Sequence, residues 1–275
     1  MKNKITISQP ISLETSSYFQ QIKNYQSKFK LIPTIVDMVN NVLSVDTDLQ
    51  AGILPDHLPF LEINDQMVSA VQQQIITQYP NQPTLGNQLW NQKIEELMGL
   101  DHLLHGLRDE LIKRYKMYGY VSSPAVEYLS KYLAGRKTLE LMAGYGYLSV
   151  GLKSIQPLHW IHAVDNESWQ FQPQQSLLPP QSLVEKMDAL DALKHYGSES
   201  EVIILSWSPD QDEIDLELLA WVRENFSGEF LVLGEFKGAT NSQAFWDKAN
   251  LEPMEEYNQR FKSFDLIDEK LYRVK

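Results

Sequence analysis

The apolar side chains in the first 117 positions recur at spacings of three and four, which is the period of an α-helix. Turn-forming clusters at residues 54–59 and 79–83 divide this pattern, so we predict four or five helices. We expect residues 1–117 to form an all-α N-terminal domain that serves as a lid or substrate wall. The apolar positions that carry the pattern are Phe19, Ile22, Tyr25, Leu31, Ile35, Met38, Val39, Met67, Val68, Val71, Ile75, Ile76, Leu97, Leu103, Leu104, Leu107, Leu111 and Ile112.

From residue 118 onwards the pattern changes to short apolar runs that alternate with helical segments. This alternation predicts an α/β fold, in which helices cover both faces of a mostly parallel sheet. Two further segments, 261–266 and 270–274, predict an antiparallel hairpin that closes one edge of the sheet. The predicted strands are 138–142, 160–164, 182–185, 201–205 and 229–233, and the predicted helices are 123–133, 147–154, 216–225 and 242–249.

The most informative segment is the turn after the first of these strands. Residues 138–149 read Thr138-Leu-Glu-Leu-Met-Ala-Gly-Tyr-Gly-Tyr-Leu-Ser149, with Gly144 and Gly146 between strand and helix. Glycine allows a ligand to approach the backbone, and the following helix offers unpaired N–H groups. Glu140 lies inside the strand, where its negative charge is unfavourable for a pyrophosphate. The turn therefore predicts a cofactor with a cationic group.

Composition excludes several classes of function. The 275 residues carry a net charge of −12, which disfavours non-specific binding to nucleic acid. We interpret the densest basic segment, Lys113-Arg-Tyr-Lys116, as a solvated helix end. The lack of cysteine excludes disulfides, thiolate metal sites and a cysteine nucleophile. The sequence shows neither a signal peptide nor a membrane span, so we expect a cytoplasmic protein.

Over residues 118–275 the order and spacing of these features resemble the class I S-adenosylmethionine-dependent methyltransferases. In that family an acidic-x-Gly-x-Gly-x-Gly turn surrounds the methionine part of the cofactor. Glu140, Gly144 and Gly146 match this turn, and Met142 replaces the usual first glycine. The resemblance implies a Rossmann-like, doubly wound domain that binds S-adenosyl-L-methionine.

The resemblance also assigns roles to residues at the ends of later strands. Asp165 occupies the place of the family's acid that holds the ribose hydroxyls, and Asp188 that of the acid at the adenine amino group. Asp191 is the alternative to Asp188, and either side chain is also suited to cap the following helix. The cofactor-binding residues implied in this way are Glu140, Ala143, Gly144, Gly146, Asp165, Asn166, Asp188 and Ala189.

The loop after the fourth strand faces the methyl acceptor in this family, and here it reads Ser206-Trp207-Ser208-Pro209. It differs from the Asn/Asp-Pro-Pro-aromatic loop of amino-group methyltransferases, because serine comes first and one proline is missing. Glu235 follows the fifth strand at the edge where open α/β sheets bind ligands. We expect it either to face the acceptor or to pair with Lys237.

The sequence thus predicts an S-adenosylmethionine-dependent methyltransferase that acts on a small molecule or a protein. It identifies no general base and no metal site, and it leaves the acceptor and the oligomeric state open. Two alternatives remain. One is a methyltransferase-like binding scaffold without catalysis, supported by Met142 and the altered fourth motif. The other is a dinucleotide-dependent oxidoreductase, because Gly144-x-Gly146-x-x-Ser149 with Asp165 nearly matches the dinucleotide fingerprint.

Overall fold

A computed structural model describes residues 4–14, 16–168 and 183–275. In the described portion of the N-terminal part, five of the predicted helices lie before residue 117. Ser16 and Asn64 cap two of these helices with their side chains, and proline opens two others. Among the described residues, no helix has the length and apolarity needed to cross a membrane. The five helices are α1 (Ser17–Lys28), α2 (Pro33–Gln50), α3 (Asp65–Gln78), α4 (Pro83–His105) and α5 (Leu107–Tyr115).

The second part alternates strands and helices, as the sequence predicts. Its strands are β1 (Thr138–Leu141), β2 (Ile161–Asp165), β3 (Val184–Lys186), β4 (Val202–Ser206), β5 (Glu229–Glu235), β6 (Leu251–Pro253) and β7 (Glu269–Val274). Its α-helices are α6 (Ser123–Leu133), α7 (Tyr147–Ile155), α8 (Ala189–Tyr196), α9 (Ile214–Asn225), α10 (Gln243–Lys248) and α11 (Glu255–Arg260). Residue 182, the first of the predicted third strand, lies outside the described residues.

These strands form one seven-stranded sheet in the order β3-β2-β1-β4-β5-β7-β6. The first five strands are parallel, and β7 runs antiparallel to both of its neighbours, β5 and β6. This is a Rossmann-like, mostly parallel sheet preceded by a helical region, which confirms the predicted fold class.

The predicted pairing of 261–266 with 270–274 is wrong. β7 covers the second segment, but its partners are β5 and β6, and no strand forms over 261–266. Phe264 is instead buried in the core, and its carbonyl oxygen accepts a hydrogen bond from the N–H of Leu61 at 2.8 Å. The apolar character of this segment therefore reflects packing against the N-terminal part.

The core is divided between the two faces of the sheet. Val202 and Ile204 of β4 belong to one cluster, and Ile203 and Leu205 belong to the other, because successive strand residues point to opposite faces. The first cluster also includes buried side chains of α1 to α7. The helical region therefore packs on one face of the sheet, and α8, α9 and α10 pack on the other.

Arg108 of α5 connects this helical region to the end of the chain. Its guanidinium donates to both oxygens of Asp265, at 2.6 and 2.9 Å, and to both oxygens of Glu269, at 3.0 and 3.1 Å. The fifth N–H donates to the carbonyl oxygen of Tyr118 at 3.0 Å. All five donors of this buried side chain are therefore satisfied by the protein.

We expect Arg108→Met to lower the free energy of unfolding by about 3–5 kcal/mol, because it leaves two largely buried carboxylates without their counter-charge. Urea denaturation monitored by circular dichroism measures this loss. Lys113→Met, on the exposed side of the same helix, is the control and should change stability by less than about 0.5 kcal/mol. Equal stabilities for the two variants would contradict a structural role for the Arg108 pairs.

Candidate functional site

A cavity of about 580 Å³ opens at the carboxyl edge of β1, β2 and β4. This is the edge at which open α/β sheets bind ligands. Its walls come from the glycine turn, the ends of these strands and the segment that follows α5. The sequence-predicted site residues that line it are Glu140, Ala143, Gly144, Asp165, Asn166, Asp188, Ala189, Ser206, Trp207, Ser208 and Pro209, whereas Gly146 and Glu235 do not.

The glycine turn keeps a left-handed backbone at three positions. Met142 has φ = 58°, Gly144 has φ = 53° and Gly146 has φ = 78°. Gly146 closes the turn by donating its N–H to the carbonyl oxygen of Ala143 at 2.8 Å, directly before α7. A β-carbon added to Gly144 would meet no heavy atom within 4 Å, so this residue faces open space. Met142 thus adopts a left-handed conformation that costs glycine less free energy. The turn keeps this conformation although its first left-handed position is a methionine.

Asp165 joins the end of β2 to this turn. One carboxylate oxygen accepts a hydrogen bond from the N–H of Gly144 at 2.8 Å, and the other accepts from the N–H of Glu167 at 2.7 Å. The N–H of Ala143 also donates to the carbonyl oxygen of Val164 at 3.0 Å. These bonds fix the carboxylate beside the open space over Gly144.

Glu140 is buried at the bottom of the cavity, with 1% of its surface exposed. Ser206 donates to one of its carboxylate oxygens at 2.9 Å, and Ser149 of α7 donates to the other. Burial raises the pKa of Glu140 to about 7, against the lowering effect of these hydrogen bonds and with a further rise from nearby Asp165. Near neutral pH this carboxyl group is therefore poised between its neutral and charged forms.

Asp188, Asn166 and Ala189 lie together on the β2–β3 side of the cavity. Asp188 is the N-cap residue of α8, and its exposed carboxylate accepts a hydrogen bond from the amide of Asn166 at 3.2 Å. Asp191, the alternative to Asp188, pairs with Lys194 at 3.2 Å and does not line the cavity. The structure therefore brings Asp188, and not Asp191, to the cavity.

The loop after β4 forms the opposite wall. The indole of Trp207 lies so close to Gly119 that a β-carbon there would be 1.9 Å from Cε2 of the ring. The N–H of Trp207 donates to the carbonyl oxygen of Leu233 at 2.9 Å, and Pro209 forms an isolated β-bridge with Thr240. These contacts on both sides hold the loop in place.

Glu235 has a different place from either one expected. Its carboxylate accepts hydrogen bonds from the N–H groups of Ala239 at 2.6 Å and Asp268 at 2.9 Å. Lys237 pairs with Asp247 at 2.7 Å, so the expected pair between Glu235 and Lys237 does not form. In this structure Glu235 ties the loop after β5 to the segment before β7, because Ala239 supplies one backbone donor and Asp268 supplies the other.

Several cavity residues fall outside the motifs that the sequence reveals. Arg108, Lys116 and Tyr118 come from the end of α5 and the segment after it, and Glu269 comes from β7. Lys116 is 2% exposed, which corrects the interpretation of Lys113-Arg-Tyr-Lys116 as a solvated helix end. The sequence feature that indicates this burial is Tyr115, a large aromatic residue within the basic segment. Tyr115 is fully buried.

The charged residues that line the cavity are mostly acidic. They are Glu140, Asp165, Asp188, Asp212, Glu213, Glu217 and Glu269, against the cations Arg108 and Lys116. Burial raises the pKa of Glu269, against the opposing effect of Arg108. Across the described ranges, no three side chains are grouped in a way that would hold a metal ion. The acidic lining therefore favours a ligand with positive charge.

Comparison with protein-family models gave no match, and no curated protein matches the chain. Among solved structures, the plantazolicin methyltransferase BpumL in complex with SAH is 16% identical, with a TM-score of 0.27, and the match covers 40% of this chain and 44% of that one. Human N-acetylserotonin methyltransferase in complex with SAM is 13% identical, with a TM-score of 0.37 and coverages of 62% and 56%.

A mutant of MtNAS aligns over most of both chains, 95% of this one and 98% of that one, at 10% identity and a TM-score of 0.35. This chain spans less than two thirds of the two methyltransferases named above. Scores and identities this low assign no function by themselves.

We expect the stability of the protein to fall as pH rises from about 5 to about 8, in part because of Glu140. A carboxyl group whose pKa is raised in the folded state, here to about 7, stabilises that state at low pH, and this contribution is lost as pH increases through 7. The contribution is on the order of 3 kcal/mol. Glu140→Gln should therefore lose less stability than the wild type between these pH values.

Denaturation by urea at both pH values measures the effect. Glu255→Gln, at an exposed position of α11, is the control and should follow the wild type. An identical pH dependence in Glu140→Gln and the wild type would show that Glu140 has no raised pKa.

Proposed function

We propose that this protein binds S-adenosyl-L-methionine in the cavity and transfers its methyl group to a nucleophilic acceptor, either a small molecule or a protein. The observation that carries the proposal is the arrangement around Gly144. Its N–H binds the Asp165 carboxylate, open space lies over its α-carbon, and the buried Glu140 lies beneath the same turn. A cationic ligand with hydroxyl groups fits this combination of two carboxylates and a bare backbone.

The residues divide the cavity into a cofactor side and an acceptor side. We assign Glu140 and the turn of Ala143 and Gly144 to the methionine part of the cofactor. Asp165 accepts hydrogen bonds from the ribose hydroxyls, and Asn166, Asp188 and Ala189 surround the adenine. Gly146 acts through the turn that it closes, since it does not line the cavity.

On the acceptor side, Ser206, Trp207, Ser208 and Pro209 face the position where the methyl group would lie. The sulfonium of the cofactor supplies an activated methyl group, so the protein mainly has to orient the acceptor and exclude water. The rigid loop after β4 suits this task, because its backbone is held by Leu233 and Thr240.

The two alternatives make different demands on the same cavity. A dinucleotide would place its pyrophosphate near Glu140 and the other carboxylates, which repel it. A scaffold without catalysis would bind the cofactor and convert no acceptor. The glycine turn favours binding of the cofactor, because Met142 keeps the left-handed backbone conformation in spite of its side chain.

Calorimetric titration of S-adenosylmethionine, S-adenosylhomocysteine and NADH into the protein tests the binding step. We expect micromolar binding of the two sulfur compounds and none of NADH. Asp165→Ala should weaken binding by about tenfold or more, or about 1.4 kcal/mol. No binding of either sulfur compound would overturn the proposed function, and binding of NADH would support the oxidoreductase.

Product analysis tests the reaction. The protein is incubated with S-adenosylmethionine and panels of small-molecule and protein acceptors. Loss of methyl from the sulfonium leaves S-adenosylhomocysteine, whereas loss of the amino-acid chain leaves 5′-methylthioadenosine. We expect S-adenosylhomocysteine. Formation of 5′-methylthioadenosine would contradict methyl transfer, and binding without any conversion would support the scaffold.

We expect Gly144→Ala to weaken binding of S-adenosylhomocysteine by about tenfold or more, because its methyl group enters the space assigned to the cofactor. Gly135→Ala is the matched control. Gly135 also has a left-handed backbone, with φ = 79°, but it does not line the cavity. Both variants should lose about 1–2 kcal/mol of stability from the same strain. Equal affinities in the two variants would contradict the assignment of Gly144.

A further inference from the structure

The helical hairpin of α3 and the start of α4 carries no charge. Residues 66–92, which we call the neutral hairpin, contain no Asp, Glu, Lys, Arg or His, and they form the longest such run in the sequence. The two helices pack together, since a β-carbon on Gly86 of α4 would be 3.8 Å from Cγ2 of Ile75 of α3. Charged residues make up 22% of the chain, and the exposed faces of helices normally carry them. The neutral hairpin therefore differs from an ordinary solvated pair of helices.

Amide side chains take the place of charged ones on this surface. Among the described residues, the side-chain hydrogen bonds of these amides stay within one helix. Gln73 donates to the hydroxyl of Thr77 at 3.4 Å, and Gln92 donates to the carboxylate of Glu96 at 3.5 Å. Each amide can both donate and accept, so the surface keeps hydrogen-bonding groups for a partner. The exposed glutamines of the two helices are Gln72, Gln73, Gln78, Gln88 and Gln92.

Apolar side chains are exposed on the same hairpin. Ile76 of α3 is 53% exposed, and Leu85 and Trp90 of α4 are half-buried. A single exposed apolar residue is ordinary on a protein surface. Here, however, the apolar residues occur in a segment without charge, and the centres of protein–protein interfaces are likewise poor in charged residues and rich in aromatic ones. The composition of the neutral hairpin therefore indicates an interface with another protein chain.

The charge of the chain indicates that the partner is a second copy. Two chains with a net charge of −12 each repel one another, and the repulsion is weakest where neither facing surface is charged. A two-fold symmetric interface also brings a patch against its own copy. A patch of one charge would then face like charge, whereas amide and apolar groups are complementary to themselves. We propose that the neutral hairpin is the interface of a homodimer, in which α3 and α4 of the two copies pack together.

Light scattering and sedimentation velocity of the full-length protein test this interface. At about 100 μM protein we expect a mass twice that of one chain. Ile76→Glu and Ile76→Lys should each raise the Kd of the dimer by about tenfold or more, because either change places two like charges in a symmetric interface. The two changes shift the net charge of the chain in opposite directions. A loss of affinity in both variants therefore reports on the interface and not on the net charge.

Leu158→Glu is the matched control. Leu158 is 99% exposed between α7 and β2, so a charge at this position should leave the Kd of the dimer unchanged. Gln73→Glu, at an exposed position of α3, replaces the Ile76 variants if circular dichroism shows that they are unfolded, and the same loss is expected.

Three results would overturn the proposal. The first is a wild type that stays monomeric up to about 100 μM, including one that binds a different protein through this surface. The second is a dimer that Ile76→Glu weakens and Ile76→Lys strengthens, which would be an effect of net charge alone. The third is a dimer that the Ile76 variants affect no more than Leu158→Glu does.

Discussion

The guanidinium of Arg108 is the constraint on which the cavity depends. The arginine and two carboxyl groups meet at a place largely shielded from water, and they are tolerated there because every donor of the arginine has an acceptor. The arrangement fixes three distant parts of the chain at once, namely α5, the backbone at Tyr118 and the approach to β7. Residues 116–118 run from this cluster to the glycine turn and form one wall of the cavity. The hydrogen bonds of Arg108 therefore determine where this wall lies.

The second organising feature is the proximity of Glu140 and Asp165. Asp165 is held by two backbone N–H groups, whereas Glu140 is held by two serine hydroxyls in a fully buried position. The charge of the first disfavours ionisation of the second, so the pair resists holding two negative charges. A cation placed between them would relieve this repulsion, which is a physical reason for the cavity to select a positively charged occupant.

Much of the fold was predictable from sequence because the signals are local. The strand periods, the glycine turn and the acids at strand ends lie within short segments, and parallel strands bring such ends together. Segment 261–266 was mispredicted because its apolar residues would suit either a strand or a loop that packs against the core. Phe264 packs in the core. Lys116 was misplaced because contacts distant in sequence bury it. Glu235 was misplaced because its carboxylate binds one nearby backbone amide and one that is 33 residues away in sequence. The division of the chain at residue 117 stays a prediction.

The hydrogen bond between Tyr147 and the carbonyl oxygen of Tyr115 has a thermodynamic consequence for the whole chain. Because it joins the end of α5 to the start of α7, the cavity exists only when the helical region is docked on the sheet. Any occupant therefore binds the docked state in preference to partly opened states and stabilises it by mass action. Docking of the helices and binding of the ligand therefore favour each other. A bound ligand raises the free energy needed to separate the helices from the sheet.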